Sequence, residues 1–211
     1  MNRTSVARSW PSIRKWVAIC LFLLSAKAGA LPADGGPEPV IRKTIDGVFA
    51  VLRDKSLAGK ERRPQRVAAL REIVDRVFDW AEMARGSVGV QWRRMNEQQR
   101  SSFVAVFKDV LATEYMDDID RFQGTEKLTV DGSVQEAEEV VVRSTLVTSS
   151  REKVPIDYRM RTRQGQWTVV DLTIEGVSLV NHFRKTFSSA LANMTIEQLT
   201  DHLRHQLPHG P

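Results

Sequence analysis

KVPIDYRMRTR, residues 153–163, alternates without a break. Val154, Ile156, Tyr158 and Met160 point one way, and Lys153, Asp157, Arg159 and Arg161 the other. A period of two specifies a strand in a sheet with one apolar and one wet face. Gln164-Gly165 is a turn signal, after which QWTVVDLTI (166–174) forms the next strand. On the other side EVVVRSTLVT (139–148) supplies a partner, with Val140, Val142 and Leu146 on one face. Further upstream, 127–130 reads as a short strand and Asp131-Gly132 as a turn. Glu175-Gly176 ends the meander. A helix is expected from Val177, with Leu179, Val180, Phe183, Phe187 and Leu191 at helical spacing.

Helices precede this sheet. The first is expected over 39–54, with Ile41, Ile45, Val48 and Leu52 as one stripe. A second starts near Pro64, a residue favoured in a first turn, and carries Val67, Leu70, Val74 and Val77 inward. Asp79 with Glu82 resembles a capping box and opens a short helix loosened by Gly86 and Gly89. Asn96 with Gln99 opens the longest helix, which runs to about residue 122 before Gly124. Thr195 with Gln198 caps a last helix. The order helices, sheet, helices predicts an α+β fold: an antiparallel meander of about four strands with helices packed on one face.

The 211 residues carry a formal charge of +5. Much of that charge sits in an expected leader, residues 1–30. It contains Arg3, Arg8, Arg14, Lys15 and Lys27, no acid, an apolar run WVAICLFLL at 16–24, and small-residue cleavage patterns ending at Ala30. Such a pattern is a secretory signal peptide; the run is too short for a span, which needs about 20 apolar residues. Removing it leaves 26 basic against 26 acidic residues and no cysteine, because Cys20 leaves with it. The expected mature unit, 31–211, is one exported domain without disulfides. Its charge gives no nucleic-acid footprint, since such a partner calls for a basic excess.

Reactive constellations are sparse. There is no Gly-rich phosphate loop, no Gly-x-Ser-x-Gly elbow and no zinc-protease helix. His182 stands alone early in its helix. His202 and His205 share a face near His209, but without a nearby carboxylate or cysteine to complete a metal set. The acid pairs Asp117-Asp118 and Glu138-Glu139 are adjacent, so neither pair shares a face. The row Arg159, Arg161 and Arg163 reads either as a docking patch or as ordinary sheet-surface charge. No catalytic residue, metal or cofactor is assigned. What stands out is the inward apolar set, including Trp80, Phe103, Phe107, Tyr115, Tyr158, Met160, Phe183 and Phe187. Periodicity alone leaves two readings open for it, a filled core or a cavity wall.

Four segments carry a family resemblance. VDLTIEGVSLVN (170–181) resembles the signature of the MlaC family, periplasmic phospholipid-binding proteins first associated with toluene tolerance. FDWAEMA (78–84), WRRMNEQQ (92–99) and FRKTF (183–187) are similar to further family segments in the right order. The likeness covers about 39–203. Departures are Met95 and Asn96, His182, and Gly86, none at the expected pocket.

The resemblance implies a periplasmic lipid carrier. Its fatty chains would lie in a cavity between sheet and helices, with the head group near solvent. Its partners would be phospholipid, an inner-membrane ABC transporter complex and an outer-membrane lipoprotein–porin complex. Its task would be to keep the outer membrane's lipid asymmetry. On this reading Val142, Leu146, Ile156, Tyr158, Met160, Val170 and Leu172 form the sheet wall. Phe103, Phe107, Leu111, Tyr115, Val177, Phe183 and Phe187 form the helical wall. Two alternatives remain open at this point: an exported enzyme using Asp171 or Glu175 with His182, and an adaptor whose core is filled.

Overall fold

A computed structural model describes residues 35–207, apart from the side chains of residues 115–120. The leader read at 1–30, the Tyr115 side chain and His209 therefore lie outside the described residues. The order of elements is α1 (Pro37–Arg53), α2 (Arg63–Asp75), α3 (Trp80–Val88), a 3-10 turn (Gly89–Arg94) and α4 (Glu97–Asp120). Then follow β1 (Lys127–Glu136), β2 (Glu139–Val147), β3 (Lys153–Arg163), β4 (Gln166–Ile174), β5 (Val177–Ser178), α5 (Leu179–Leu191) and α6 (Ile196–Gln206). The fold is α+β.

The sheet is an antiparallel meander in the order β1-β2-β3-β4-β5. Two of its turns are set by backbone chemistry. Gln164-Gly165 has φ of 51° and 79°, and Glu175-Gly176 has 50° and 79°. Both central residues at positive φ give the two-residue turn whose twist matches its strands, and glycine takes the second place without a Cβ penalty. Register follows the apolar pattern. Val142 faces Tyr158, which faces Leu172; Leu146 faces Val154, and Ile156 faces Ile174. These residues belong to one continuous core.

Three local expectations need correcting. Asp131-Gly132 is no turn: β1 runs through it to Glu136, with a bulge between Val130 and Gly132. A bulge keeps a strand paired while shifting which residues face the core; after it Ser133, not Gly132, faces Val142. The same device corrects Val170. A second bulge pairs Arg159 with Asp171 but Met160 with Val169, so Val169 joins the core while Val170, though buried, stays outside it. Finally, Val177 is on a strand: it pairs with Ile174, and the helix begins at Leu179 behind the Ser178 cap.

The helices fix their ends with the expected side chains. Asp79 accepts from the Glu82 N–H at 3.0 Å. Asn96 and Gln99 exchange hydrogen bonds at 2.9 and 2.7 Å, and Thr195 with Gln198 completes a capping box. These bonds satisfy amides that an open first turn would leave bare. The segment between α2 and α3 joins the free edge of β4: Val169 N–H donates to Val77, and Asp79 N–H to Val169, both at 2.8 Å. That junction holds α3 beside the sheet. Then α1 lies on β1 and β2, α5 on β4, and α4 on α3 and α6.

Candidate functional site: an apolar interior under the first helix

The expected helical wall is mostly ring on ring. Phe103 and Phe107 of α4 stack at 6.1 Å between centroids. Phe103 meets Phe187 of α5 edge-on at 5.7 Å, and Phe107 meets Phe183 at 5.4 Å. Edge-to-face and offset contacts suit the ring quadrupole. All four rings are buried, as is Leu111. The space between α4 and α5 is thus filled by the protein's own side chains.

The interior cleft lies elsewhere. It is lined by Ile41, Thr44, Ile45 and Val48 of α1, Phe78 before α3, Leu128 of β1 and Tyr158 of β3. Its threonine hydroxyl is already engaged, since Thr44 Oγ1 donates to the Val40 carbonyl at 2.8 Å. The cleft measures about 10 Å³, whereas pockets that enclose small molecules run to about 300–1,000 Å³. It is therefore a seam between α1 and the sheet. Of the expected wall residues whose side chains are described, Tyr158 alone lines it. Val142, Leu146, Ile156, Met160 and Leu172 share the sheet face with Tyr158 and are buried beside it.

Sequence reasoning missed the α1 side of this seam. Its signal was present in the stripe Ile41, Ile45 and Val48, but a helix stripe says only that a face is buried, not what it covers. The helix is held at its margin by three polar contacts to the segment 126–133, and an ion pair within it orients Arg42. Arg42 donates to the Val130 carbonyl at 3.1 Å and Arg53 to the Glu126 carbonyl at 3.2 Å. Ser133 donates to Glu38 at 2.7 Å, and Arg42 pairs with Glu38 at 3.4 Å.

Ionisable groups near the sheet are engaged structurally. Asp171 sits on the wet face but is buried, and accepts from Ser178 Oγ at 2.5 Å, Leu172 N–H at 2.8 Å and Val180 N–H at 3.1 Å. Burial pushes its carboxyl up, against those hydrogen bonds, which favour the anion. It ties β4 to β5 and to the first turn of α5, which leaves its oxygens no task as a base. His182 is pushed down, by burial first and then by Lys185. The arginine row is likewise committed: Arg159 to Glu136 and Glu139, Arg161 to Glu82, and Arg163 to Asp79, at 2.8–3.2 Å. That favours the sheet-surface reading over a docking patch. Among the described residues no group of three His, Cys, Asp or Glu side chains could hold a metal ion.

A five-stranded meander with helices over its apolar face, and an uncharged seam between the two, defines a class of α+β proteins with a deep, uncharged and largely apolar interior. The MlaC protein family model matches residues 42–205, and the chain belongs to that family. Among solved structures it is similar to the phospholipid-binding protein from Ralstonia solanacearum, determined in complex with a phospholipid. The two share 22% sequence identity at a TM-score of 0.69, over 79% of this chain and 94% of that one. No curated protein matches.

Proposed function

We propose that this protein binds phospholipid and carries it between membranes as an exported, periplasmic carrier rather than an enzyme. The observation that carries the reading is the seam itself: an uncharged interior surface, continuous from α1 across Tyr158 to the buried face of the sheet. Membership of the MlaC family and the phospholipid held by the Ralstonia protein support it. A carrier must keep fatty chains from water. Burying a methylene stabilises by about 0.8 kcal/mol, so one sixteen-carbon chain represents on the order of 12 kcal/mol. No catalytic group is needed for that task.

The chains enter by parting α1 from the sheet. Ile41, Ile45, Val48, Phe78, Leu128 and Tyr158 then line them, with Val142, Met160 and Leu172 as the sheet floor beyond. Phe183, Phe187, Phe103 and Phe107 back the far side as a rigid support. Delivery joins an inner-membrane ABC transporter complex to an outer-membrane lipoprotein–porin complex, and its outcome is lipid asymmetry of the outer membrane. The experiment is organic extraction of the purified exported protein followed by mass spectrometry, with Ile45→Phe as comparison. Phospholipid in the wild type and less in Ile45→Phe, at equal folded content, is expected. Protein that neither retains phospholipid nor takes it up from vesicles refutes the function. Unchanged occupancy in Ile45→Phe refutes the α1 route.

A further inference from the structure

A second concavity, about 800 Å³ and open to solvent, lies between α3, the 3-10 turn Gly89–Arg94 and α5. Its floor is apolar, with Val88 and Leu191, and its rim carries Arg85, Arg93 and Arg184. Arg94 is exposed next to Arg93. Among the described residues Arg93, Arg94 and Arg184 make no ion pair, and Glu82, the acid lining the groove, is already held by Arg85 and Arg161. The patch is a local excess of positive charge.

The turn is built to project. Val88 before it and Met95 after it are each 4% exposed, so both ends are pinned in the core. Between them Val90 stands 63% exposed, the most exposed of the large apolar side chains among the described residues. Trp92 is half-buried beside it. Its carbonyl accepts from Arg100 at 3.1 and 3.2 Å, and the Arg100 guanidinium lies 5.4 Å from its ring. A rigid knuckle with an exposed aliphatic tip, a fixed indole and unpaired arginines is the composition of an interfacial membrane contact.

We infer that the Gly89–Arg94 knuckle, with Arg85 and Arg184 behind it, docks the protein reversibly on an anionic phospholipid bilayer surface. The positive rim matches such a surface in charge, and the projecting valine enters the head-group region. An amphipathic peptide fits less well, because helix-in-groove recognition recesses its apolar anchors in a row, and Val90 stands proud instead. The contact is independent of whether lipid is held inside.

The test is co-flotation of the full exported chain with phosphatidylglycerol-containing vesicles and with phosphatidylcholine vesicles, at low and high salt. Binding to the first, abolished by salt and absent from the second, is expected. Arg93→Gln with Arg94→Gln should weaken partitioning by about tenfold or more, since each basic residue at an anionic surface counts for roughly a fivefold change. Val90→Asp should weaken it further, and thermal melts should show both variants folded, because these side chains are exposed. Equal binding to both vesicle types, no binding to either, or unaltered binding by both variants overturns the inference. So does saturable binding of an acidic helical peptide without vesicle binding. Lipid extracted from the same variants reports on the interior separately, so loss of surface attachment and loss of cargo are read apart.

Discussion

At Gly86 α3 leaves no room for a side chain against α5, and replacing it with alanine tests that approach. A Cβ built at Gly86 falls 2.5 Å from Val180 Cγ1 and 3.8 Å from its Cβ. Val180 is 8% exposed and β-branched on a helix, so its methyl has no free rotamer to adopt. Forcing a methyl into such a contact costs about 1–3 kcal/mol. Helix propensity works the other way, since alanine is better than glycine inside a helix by about 1 kcal/mol. Gly86→Ala should therefore destabilise by about 1 kcal/mol, which for a domain of this size lowers the melting temperature by roughly 2–4 °C. The decisive measurement is a double-mutant cycle by urea denaturation with Val180→Ala. Once the Cγ1 methyl is gone the clash vanishes, and Gly86→Ala should become stabilising by about 1 kcal/mol. A Gly86→Ala variant that gains stability in the wild-type background would refute the close approach, and so would additivity in the cycle.

Lys108 and Asp75 form a pair 2.9 Å apart with side chains 12% and 8% exposed, and Asp75 also accepts from Trp80 Nε1 at 2.7 Å. Lys108→Met should cost about 3 kcal/mol, because it takes the ammonium partner from a buried carboxylate, while adding Asp75→Asn should recover part of that loss in chemical denaturation. Burial tends to raise the Glu82 carboxyl, but hydrogen bonds from Arg85 and Arg161 outweigh it and hold the group below its ordinary value of 4.5. A carboxyl depressed on folding lends stability above its unfolded pKa and loses it as pH falls through the folded one. Stability should therefore drop on acidification below about pH 4.5, and Glu82→Gln should flatten that part of the pH–stability curve. Asp171→Asn should loosen the start of α5 at a cost of about 1–3 kcal/mol, read as faster amide exchange at Val180 and Asn181.

Strand identity was legible because one face of the meander is buried, so Val154, Ile156, Tyr158 and Met160 had to alternate. Bulges escaped for the converse reason. Asp131-Gly132 has turn chemistry, and only the pairing of Ser133 with Val142 shows that the strand continues. In β4, Val169 and Val170 are chemically the same, so nothing local marks which one faces the core. Caps were legible because they are short-range: Asp79, Asn96 and Thr195 each accept from the amide three residues on. The seam was not, because it depends on what the α1 stripe meets 80 to 120 residues later, at Leu128 and Tyr158. Aromatic partners were hidden in the same way. For Phe103, Phe107, Phe183 and Phe187 the sequence left filled core and cavity wall both open, because helical spacing does not show that their ring partners are each other.

A closed seam is what the proposed carrier needs, and the magnitudes show why. Parting α1 from the sheet exposes Ile41, Ile45 and Val48, each of which gains about 1.5–3 kcal/mol from full burial. The three polar contacts that tie the helix to the segment 126–133 add about 0.5–1.5 kcal/mol each. Opening into water thus costs on the order of 10 kcal/mol, which keeps the interior shut when no lipid is present. A sixteen-carbon chain in the gap returns about 12 kcal/mol, and it also keeps the α1 side chains in apolar contact. The two quantities are of the same size, so binding and release are both within reach of modest help from a partner. A large permanent cavity would hold its lipid more tightly, with no closing helix to help expel it. Weakening the latch should consequently favour the loaded form. Arg42→Ala with Arg53→Ala should raise phospholipid retention while lowering the stability of delipidated protein. Falling retention in that pair would show that α1 stabilises the bound lipid instead of excluding it.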